Sequence, residues 1–436
     1  MDQAKFLRAD EIGRRQFLAD IAQKYLGVTV APMLGATLAS PAFGQSAARG
    51  GGGQAEHVIF LNMEGGMSHI DTFDVKKNKD VQGPVEHIPS TADYQISEYL
   101  GETAKVLDKV CVINSMTSKQ GAHRAGQYQL NKSYAPRGTI RHPAMGSWVV
   151  RLKGRKNVTL PGFVTIGGDP SPGFFGAEFG GVPLGRPDEG LKNSTRANTV
   201  EEENFRKRLA IADMLNKDFH NRYKTPQVMA YESLYDEAVK LMKSEDLKAF
   251  DINAEDSKVR EEYGSHKFSQ GCLLARRLVE AGVRFIEVRH GTWDTHYDNF
   301  TAVEDRAKEF DRGFATLIKD LDRKGLLDKT LVVVSTEFGR TPEIVTEHQN
   351  GRDHHPSAFS SVLAGGGVSG GMRYGKTDRK GDKVSSDPVT HQDLNATMAY
   401  ALGIDHKQVV NSPSGRPFRM AGSDAELGRP ITSIFA

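Results

Sequence analysis

Apolar and polar positions along this chain fall into blocks, and the blocks change period. A short apolar run, His57-Val58-Ile59-Phe60-Leu61-Asn62-Met63, is stopped by Glu64-Gly65-Gly66 and predicts a buried strand ending in a loop. Helical spacing from Ile96 to Leu107 precedes a second apolar strand, Val110-Cys111-Val112-Ile113-Asn114. Farther on, Cys272, Leu274 and Leu278 recur at helical spacing within Phe268 to Ala281, Gly282 ends that helix, and Val283 to Val288 forms the next strand. Phe310, Phe314, Leu317 and Leu321 share one helical face, with Gly325 placed to cap it, and Leu331 to Ser335 follows as a continuously apolar strand. Such strands separated by amphipathic helices are what a mostly parallel sheet covered on both faces produces. The expected fold class is therefore α/β, with a mostly parallel central sheet and helices on both faces.

Two regions depart from this rhythm. From about Ser171 to Asn198 the chain is rich in Gly and Pro, which predicts an irregular surface excursion, and polar helices are expected from about Val200 to Tyr223 and from Pro226 to Lys243. Residues 171–262 thus read as an irregular and helical insertion or cap. At the amino terminus, Gly13-Arg14-Arg15-Gln16-Phe17-Leu18 precedes a weakly apolar stretch from Tyr25 to Ala42, which Lys24 bounds and Pro32 interrupts. The segment resembles a twin-arginine export leader, and it falls short of the roughly 20 unbroken apolar residues of a spanning helix. The expected division is a leader over 1–47, a Gly-rich linker over 48–56 and one domain over 57–436. A periplasmic or secreted location follows, with the twin-arginine export machinery as a partner and no permanent membrane span.

Composition narrows the function. The 436 residues suffice for a substantial core, and 57 Lys and Arg against 55 Asp and Glu leave no broad positive field to draw the protein onto nucleic acid. The two cysteines, Cys111 and Cys272, sit among apolar neighbours and are read as small buried hydrophobes rather than as a disulfide.

Candidate chemistry collects where the strands end, as it does at the carboxyl edge of open α/β sheets. After the first strand comes Glu64-Gly65-Gly66-Met67-Ser68-His69-Ile70-Asp71. After Val288 comes His290-Gly291-Thr292-Trp293-Asp294-Thr295-His296. After Val334 come Glu337-Phe338-Gly339-Arg340-Thr341-Pro342 and then Gly351-Arg352-Asp353-His354-His355-Pro356. Asp294 and His296, two apart, can point the same way in an extended loop, and an Asp/His set suits a divalent ion. Arg340 and Arg352 are candidates to hold an anionic group bidentately, with simple pairing to Glu337 or Asp353 as the equal alternative. The run Gly365 to Gly371 lacks the Lys-Ser/Thr of a phosphate-binding loop and is read as a turn or hairpin. Trp293 and Tyr297 are read as ordinary packing.

These motifs together resemble a bacterial family of unknown function, DUF1501, which is placed in the alkaline phosphatase and sulfatase superfamily. The resemblance covers nearly the whole chain and implies an alkaline phosphatase-like fold. Carried over residue by residue, it makes Glu64 the first acidic ligand, Asp294 and His296 the middle pair, Glu337 the late carboxylate, and His355 or its neighbour His354 the last histidine. Phe338 stands where the family pattern has a further histidine, which implies one well-formed metal site rather than two. The nucleophile is implied near the start of a helix at Ala122 to Leu130, with Thr117, Ser118 and His123 as candidates and Ser68 as an alternative. The implied function is an exported hydrolase of a phosphate or sulfate ester, dependent on zinc, manganese or calcium. Its substrate would be an anionic small molecule or polysaccharide ester. The alternative is a non-catalytic binding or assembly protein that keeps the fold with at most one structural metal.

Overall fold

The computed structural model describes residues 52–192, 194, 199–222 and 237–436. The expected leader over 1–47, the first part of the linker and most of the expected helix from Pro226 to Lys243 lie outside these residues.

The main sheet is built from β1 (His57–Met63), β2 (Val110–Thr117), β3 (Phe163–Ile166), β4 (Val182–Leu184), β5 (Phe285–His290), β6 (Thr330–Ser335), β7 (Phe359–Ala364), β8 (Met372–Tyr374) and β9 (Val389–Thr390). Its spatial order is β8-β2-β7-β6-β1-β5-β3-β4, with β9 also paired to β2. All neighbours run parallel except β7, which is antiparallel to β6 and β2. The fold is α/β with a mostly parallel central sheet. Both faces of β1, β5 and β6 are largely buried, which is why these strands read as mainly apolar runs. On one face Ile59, Leu61, Ile286 and Val288 pack with helices α4 (Lys267–Glu280) and α5 (Asn299–Arg323). On the other, Val58, Phe60, Phe285 and Leu331 pack with α1 (His123–Lys132), α2 (Met145–Lys153) and α6 (His391–Ala401). Helix α3 (Glu202–Arg222) falls within the residues expected to form an insertion or cap. Among the described residues no helix is long and apolar enough to cross a membrane.

The structure corrects two local expectations. Ile96 to Leu107 is not one helix: Ile96–Ser97 is a short strand, followed by 3-10 turns at Glu98–Leu100 and Thr103–Lys109. Side chains break the run, because Ser97 caps the first turn at Tyr99 N (3.2 Å), and Asp311 of α5 accepts from the amides of Glu102 (2.8 Å) and Thr103 (2.6 Å). The excursion from Ser171 to Asn198 is not wholly irregular either, since Val182–Leu184 adds a parallel edge strand beside β3. Pro183 is tolerated there because an edge strand has one unpaired side. Elsewhere, Gly365, Gly366 and Gly367 all have positive φ and turn the chain out of β7. Both cysteines are buried free thiols, and burial pushes that of Cys111 up to about 12.

One buried acid carries a measurable cost. Glu287, in the middle of β5, is 2% exposed, and burial raises its carboxyl from 4.5 to about 7, against the hydrogen bond from Asn62 Nδ2 (3.0 Å). Because the folded value lies above the unfolded one, the folded state holds a proton that the unfolded chain has lost between those two pH values. Stability therefore falls as pH rises from about 4.5 to about 7 and is level above that. Glu287→Gln, which stays neutral, should match the parent near pH 4.5 and exceed it by ~3 kcal/mol at pH 8, as read by urea denaturation at the two pH values.

Candidate metal centre

Four elements bring the polar loops together. The loop after β1 crosses to the loop after β5 at Gly65, whose φ is +114°, and a Cβ there would lie 2.6 Å from Asp294 N. Only glycine permits that approach. The loop after β6 forms a ribbon with the segment before β7, pairing His354 with Arg340 and His355 with Gly339. Helix α1 follows β2 and places His123 at its first turn, and Gly126 lets the helix backbone lie against Glu337, where a Cβ would meet Glu337 Cβ at 2.9 Å.

Three imidazoles converge on Asp294. His123 Nε2 lies 3.3 Å from Asp294 Oδ2, while His296 Nε2 and His354 Nε2 lie 3.2 and 3.5 Å from Oδ1. His296 Nε2 and His354 Nε2 are 2.9 Å apart. Two of the opposite ring nitrogens are held by an oxygen acceptor. His123 Nδ1 donates to Glu337 Oε1 (2.7 Å) and His354 Nδ1 donates to the Gly121 carbonyl (2.8 Å), whereas His296 Nδ1 lies 3.5 Å from Asp353 Oδ1 without a hydrogen bond. A proton on Nδ1 leaves the neutral rings of His123 and His354 with a bare Nε2, and His296 Nε2 can donate to that of His354. Bare lone pairs in contact repel unless a proton or a cation lies between them. Outer oxygens that orient histidines in this way are the usual surround of a metal ligand.

A divalent ion fits this set. The ligand atoms of His123, Asp294 and His354 lie within 4.8 Å of one another, as do those of His296, Asp353 and His354. Tetrahedral ligands about 2.0–2.2 Å from a shared ion sit ~3.3–3.6 Å apart, which the separations around Asp294 approach. Phe338 closes the inner side, with its ring 5.0 Å from that of His123 and 4.6 Å from that of His354. Electrostatics support a charged site. Burial raises the Asp294 carboxyl, but the hydrogen bond and charge of Arg340, with His123 and His296, bring it below its ordinary value. The bond from Glu337 raises His123 against the opposing effect of burial, whereas burial and Arg340 lower His296.

Several residues expected here stand elsewhere. His355 does not join the centre: its Nε2 donates to the Asp382 carbonyl (2.6 Å), and its ring stacks on His69 at 6.3 Å. Consecutive residues of an extended strand point to opposite sides, so the ribbon that sends His354 in sends His355 away. Glu64 pairs with Arg289 at 3.2 Å. Glu337 is fully buried and surrounded by Gly65 N, Thr336 Oγ1, Gln127 Nε2 and His123 Nδ1, so it is an outer partner of His123 and not a ligand. Arg352 cannot hold a substrate anion, because every donor is committed: two to Asp71 (2.9 and 3.0 Å) and the others to the carbonyls of Thr341, Pro342 and Val81. Arg340, fully buried, spends four of its five N–H donors on Asp294 Oδ1 (2.5 Å) and the carbonyls of Gly65, Gly66 and Arg352. Neither arginine takes Glu337 or Asp353 as its hydrogen-bond partner.

Of the nucleophile candidates, only His123 reaches the cluster. Ser118 Oγ accepts from Gln120 N (3.1 Å), Thr117 ends β2 beside Thr390, and Ser68 Oγ donates to Asp71 (2.6 Å). Trp293 is buried, while Tyr297 is exposed and its ring meets that of His348 at a tilt, 4.8 Å away. Two contributors were not foreseen. Asp353 faces His296, and Gln127 steadies Glu337 at 2.7 Å. Gln127 lies four residues after His123 on the same helical face, a spacing that marks it as a neighbour.

A family model described as "Protein of unknown function (DUF1501)" matches residues 55–435. Comparison with curated proteins gives no match. Among solved structures, the chain is similar to the PsFucS1 sulfatase from Pseudoalteromonas sp., at 14% identity and a TM-score of 0.41 over 88% of this chain and 72% of that one. It is also similar to the lipoteichoic acid synthase LtaP from Listeria monocytogenes, at 10% identity and a TM-score of 0.38 over 87% of this chain and 79% of that one.

Proposed function

The chain belongs to the DUF1501 family, and we propose that it is an exported metal-dependent hydrolase of phosphate or sulfate esters. The observation that carries this reading is the convergence of three imidazole Nε2 atoms on the carboxylate of Asp294. His123, Asp294 and His354 would hold the ion. Two of these three donors are imidazoles, which favours zinc or a similar transition metal over calcium, whose sites are built from oxygens. Three protein ligands leave room for water and substrate, as in catalytic zinc sites. A bound divalent ion would polarise an ester oxygen and lower the pKa of water.

The chain's own groups supply the rest. Glu337 and Gly121 fix the rings of His123 and His354 from behind. Helix α1 has no side-chain cap at Ala122, so its first amides and the positive end of its dipole are open to an anion beside the centre. Arg124 follows His123, is exposed, and has no ion pair among the described residues, so it would steady the anion, whereas Arg352 is fully committed and Arg340 is buried on Asp294. No Ser or Thr hydroxyl bonds to His123, Asp294, His296 or His354 among the described residues, and water is the attacking group. His296, beside Asp294 and outside that ligand set, takes the proton of that water as the new P–O or S–O bond forms, and the ester oxygen leaves and is protonated from solvent. The same lack of a hydroxyl is the observation that favours the second reading, a non-catalytic binding protein with one structural ion.

The test is a screen of phosphate and sulfate monoesters, small and polymeric, before chelation, after it, and after restoring zinc. Turnover that is lost on chelation and regained with zinc is expected. Turnover indifferent to chelation overturns metal dependence, and bound metal without turnover of either ester class establishes the second reading.

A further inference from the structure

A second set of imidazoles and a carboxylate lies behind the Asp294 loop, and its hydrogen bonds give it a different task. His290 ends β5, His266 precedes α4 as its cap, and Glu309 faces both from α5. Their ligand atoms lie within 4.8 Å of one another, which by distance alone would suit an ion. The protons argue otherwise. His266 Nδ1 accepts from the Phe268 amide and His290 Nδ1 accepts from the Trp293 indole, each at 3.2 Å. Each neutral ring therefore carries its proton on Nε2, and both Nε2 atoms face Glu309, at 3.0 Å to Oε1 and 2.8 Å to Oε2. Arg306 adds another donor to Oε2 at 3.0 Å. At the Asp294 cluster His123 and His354 are turned the other way, with Nδ1 donating to an oxygen and Nε2 facing Asp294.

What this arrangement holds is Trp293. The indole is 1% exposed, meets the His290 ring edge-on at 5.6 Å, and ends its N–H on that ring. Its backbone N–H donates to the Glu64 carbonyl at 3.1 Å. Asp294 is the next residue; Arg340 and the histidines meet its half-exposed carboxylate, while the anchored Trp293 fixes the backbone from which that side chain springs. The chain approaches through Thr292 at φ +70°, a region that β-branched residues rarely adopt. Such strain persists only where the surroundings over-determine it.

We propose that His290, oriented by Glu309, is a positioning residue: by presenting Nδ1 as an acceptor to Trp293 it holds Asp294 in register with His123 and His354. Its consequence for metal affinity rests on the metal-centre reading, whereas the anchoring of residues 291–296 does not.

Two measurements separate these. Backbone hydrogen exchange over residues 291–296 in metal-free protein reads the anchor, and a Co²⁺ titration reads its consequence. His290→Phe fills the space without offering an acceptor, and should speed exchange in this segment at least ~10-fold and weaken Co²⁺ binding ~10–100-fold, the usual range for losing an outer partner. His290→Asn, whose Oδ1 replaces Nδ1 as acceptor, should recover most of both. Phe268→Leu trims a ring packed 4.6 Å from His290 while keeping the hydrogen bonds, and should lower the melting temperature but leave both readouts unchanged. Unchanged exchange in His290→Phe, or equal acceleration in Phe268→Leu, overturns the proposal. Parent protein that binds no Co²⁺ overturns the metal centre, and the exchange data still decide the anchor.

Discussion

His354→Ala should weaken zinc binding by more than ~100-fold, beyond the roughly 10–100-fold that follows loss of an outer-shell partner, whereas His355→Ala should leave it within about threefold. The two histidines are adjacent and chemically identical, so the contrast isolates geometry. His354 places Nε2 within 3.5 Å of Asp294, with its far nitrogen fixed by Gly121. His355 spends Nε2 on the Asp382 carbonyl, and its loss should cost about 1 kcal/mol of stability through one hydrogen bond. Calorimetric titration of both variants with zinc is the check. Equal losses of affinity, or a greater loss in His355→Ala, would contradict the placement.

Asp71→Ala should destabilise the fold by roughly 3–5 kcal/mol, the cost of leaving a buried charge without its partner. Asp71 and Arg352 are both fully buried, and the carboxylate also accepts from Ser68 and Asn299. This pair ties the loop after β1 to the ribbon that carries His354. Arg352→Lys should fare little better than Arg352→Ala, because an ammonium cannot meet acceptors that are spread around a planar guanidinium. Guanidinium denaturation provides the measurement, and a loss below ~1 kcal/mol in Asp71→Ala would show that the pair is not a structural tie.

Much of the frame was legible because it rests on local pattern. The strands β1, β2, β5 and β6 are buried on both faces and declare themselves as largely apolar runs, and the polar loops that follow three of them meet at one edge of the sheet. That Asp294 and His296 lie together was legible for the same reason, although His296, expected as a ligand, stands outside the set of His123, Asp294 and His354. What failed depends on contacts between distant segments. No periodicity in a two-residue ribbon tells which of His354 and His355 faces inward. The burial of Arg352 on Asp71 joins positions far apart in sequence, so an arginine that reads equally as an anion holder or as a partner of Glu337 or Asp353 proves to be neither, but a tie to Asp71. Glu337 has the chemistry of a ligand, and only the position of α1 reveals that His123 stands between it and the centre. The run from Ile96 to Leu107 has helical spacing, yet Asp311 from α5 takes its amides and redirects it.

The most direct test is a crystal structure of zinc-loaded protein with data collected at the zinc absorption edge. A single strong anomalous peak is predicted within about 2.0–2.2 Å of His123 Nε2, Asp294 Oδ2 and His354 Nε2. The absence of any peak there, or a peak beside His355 or between His266, His290 and Glu309, would contradict the account.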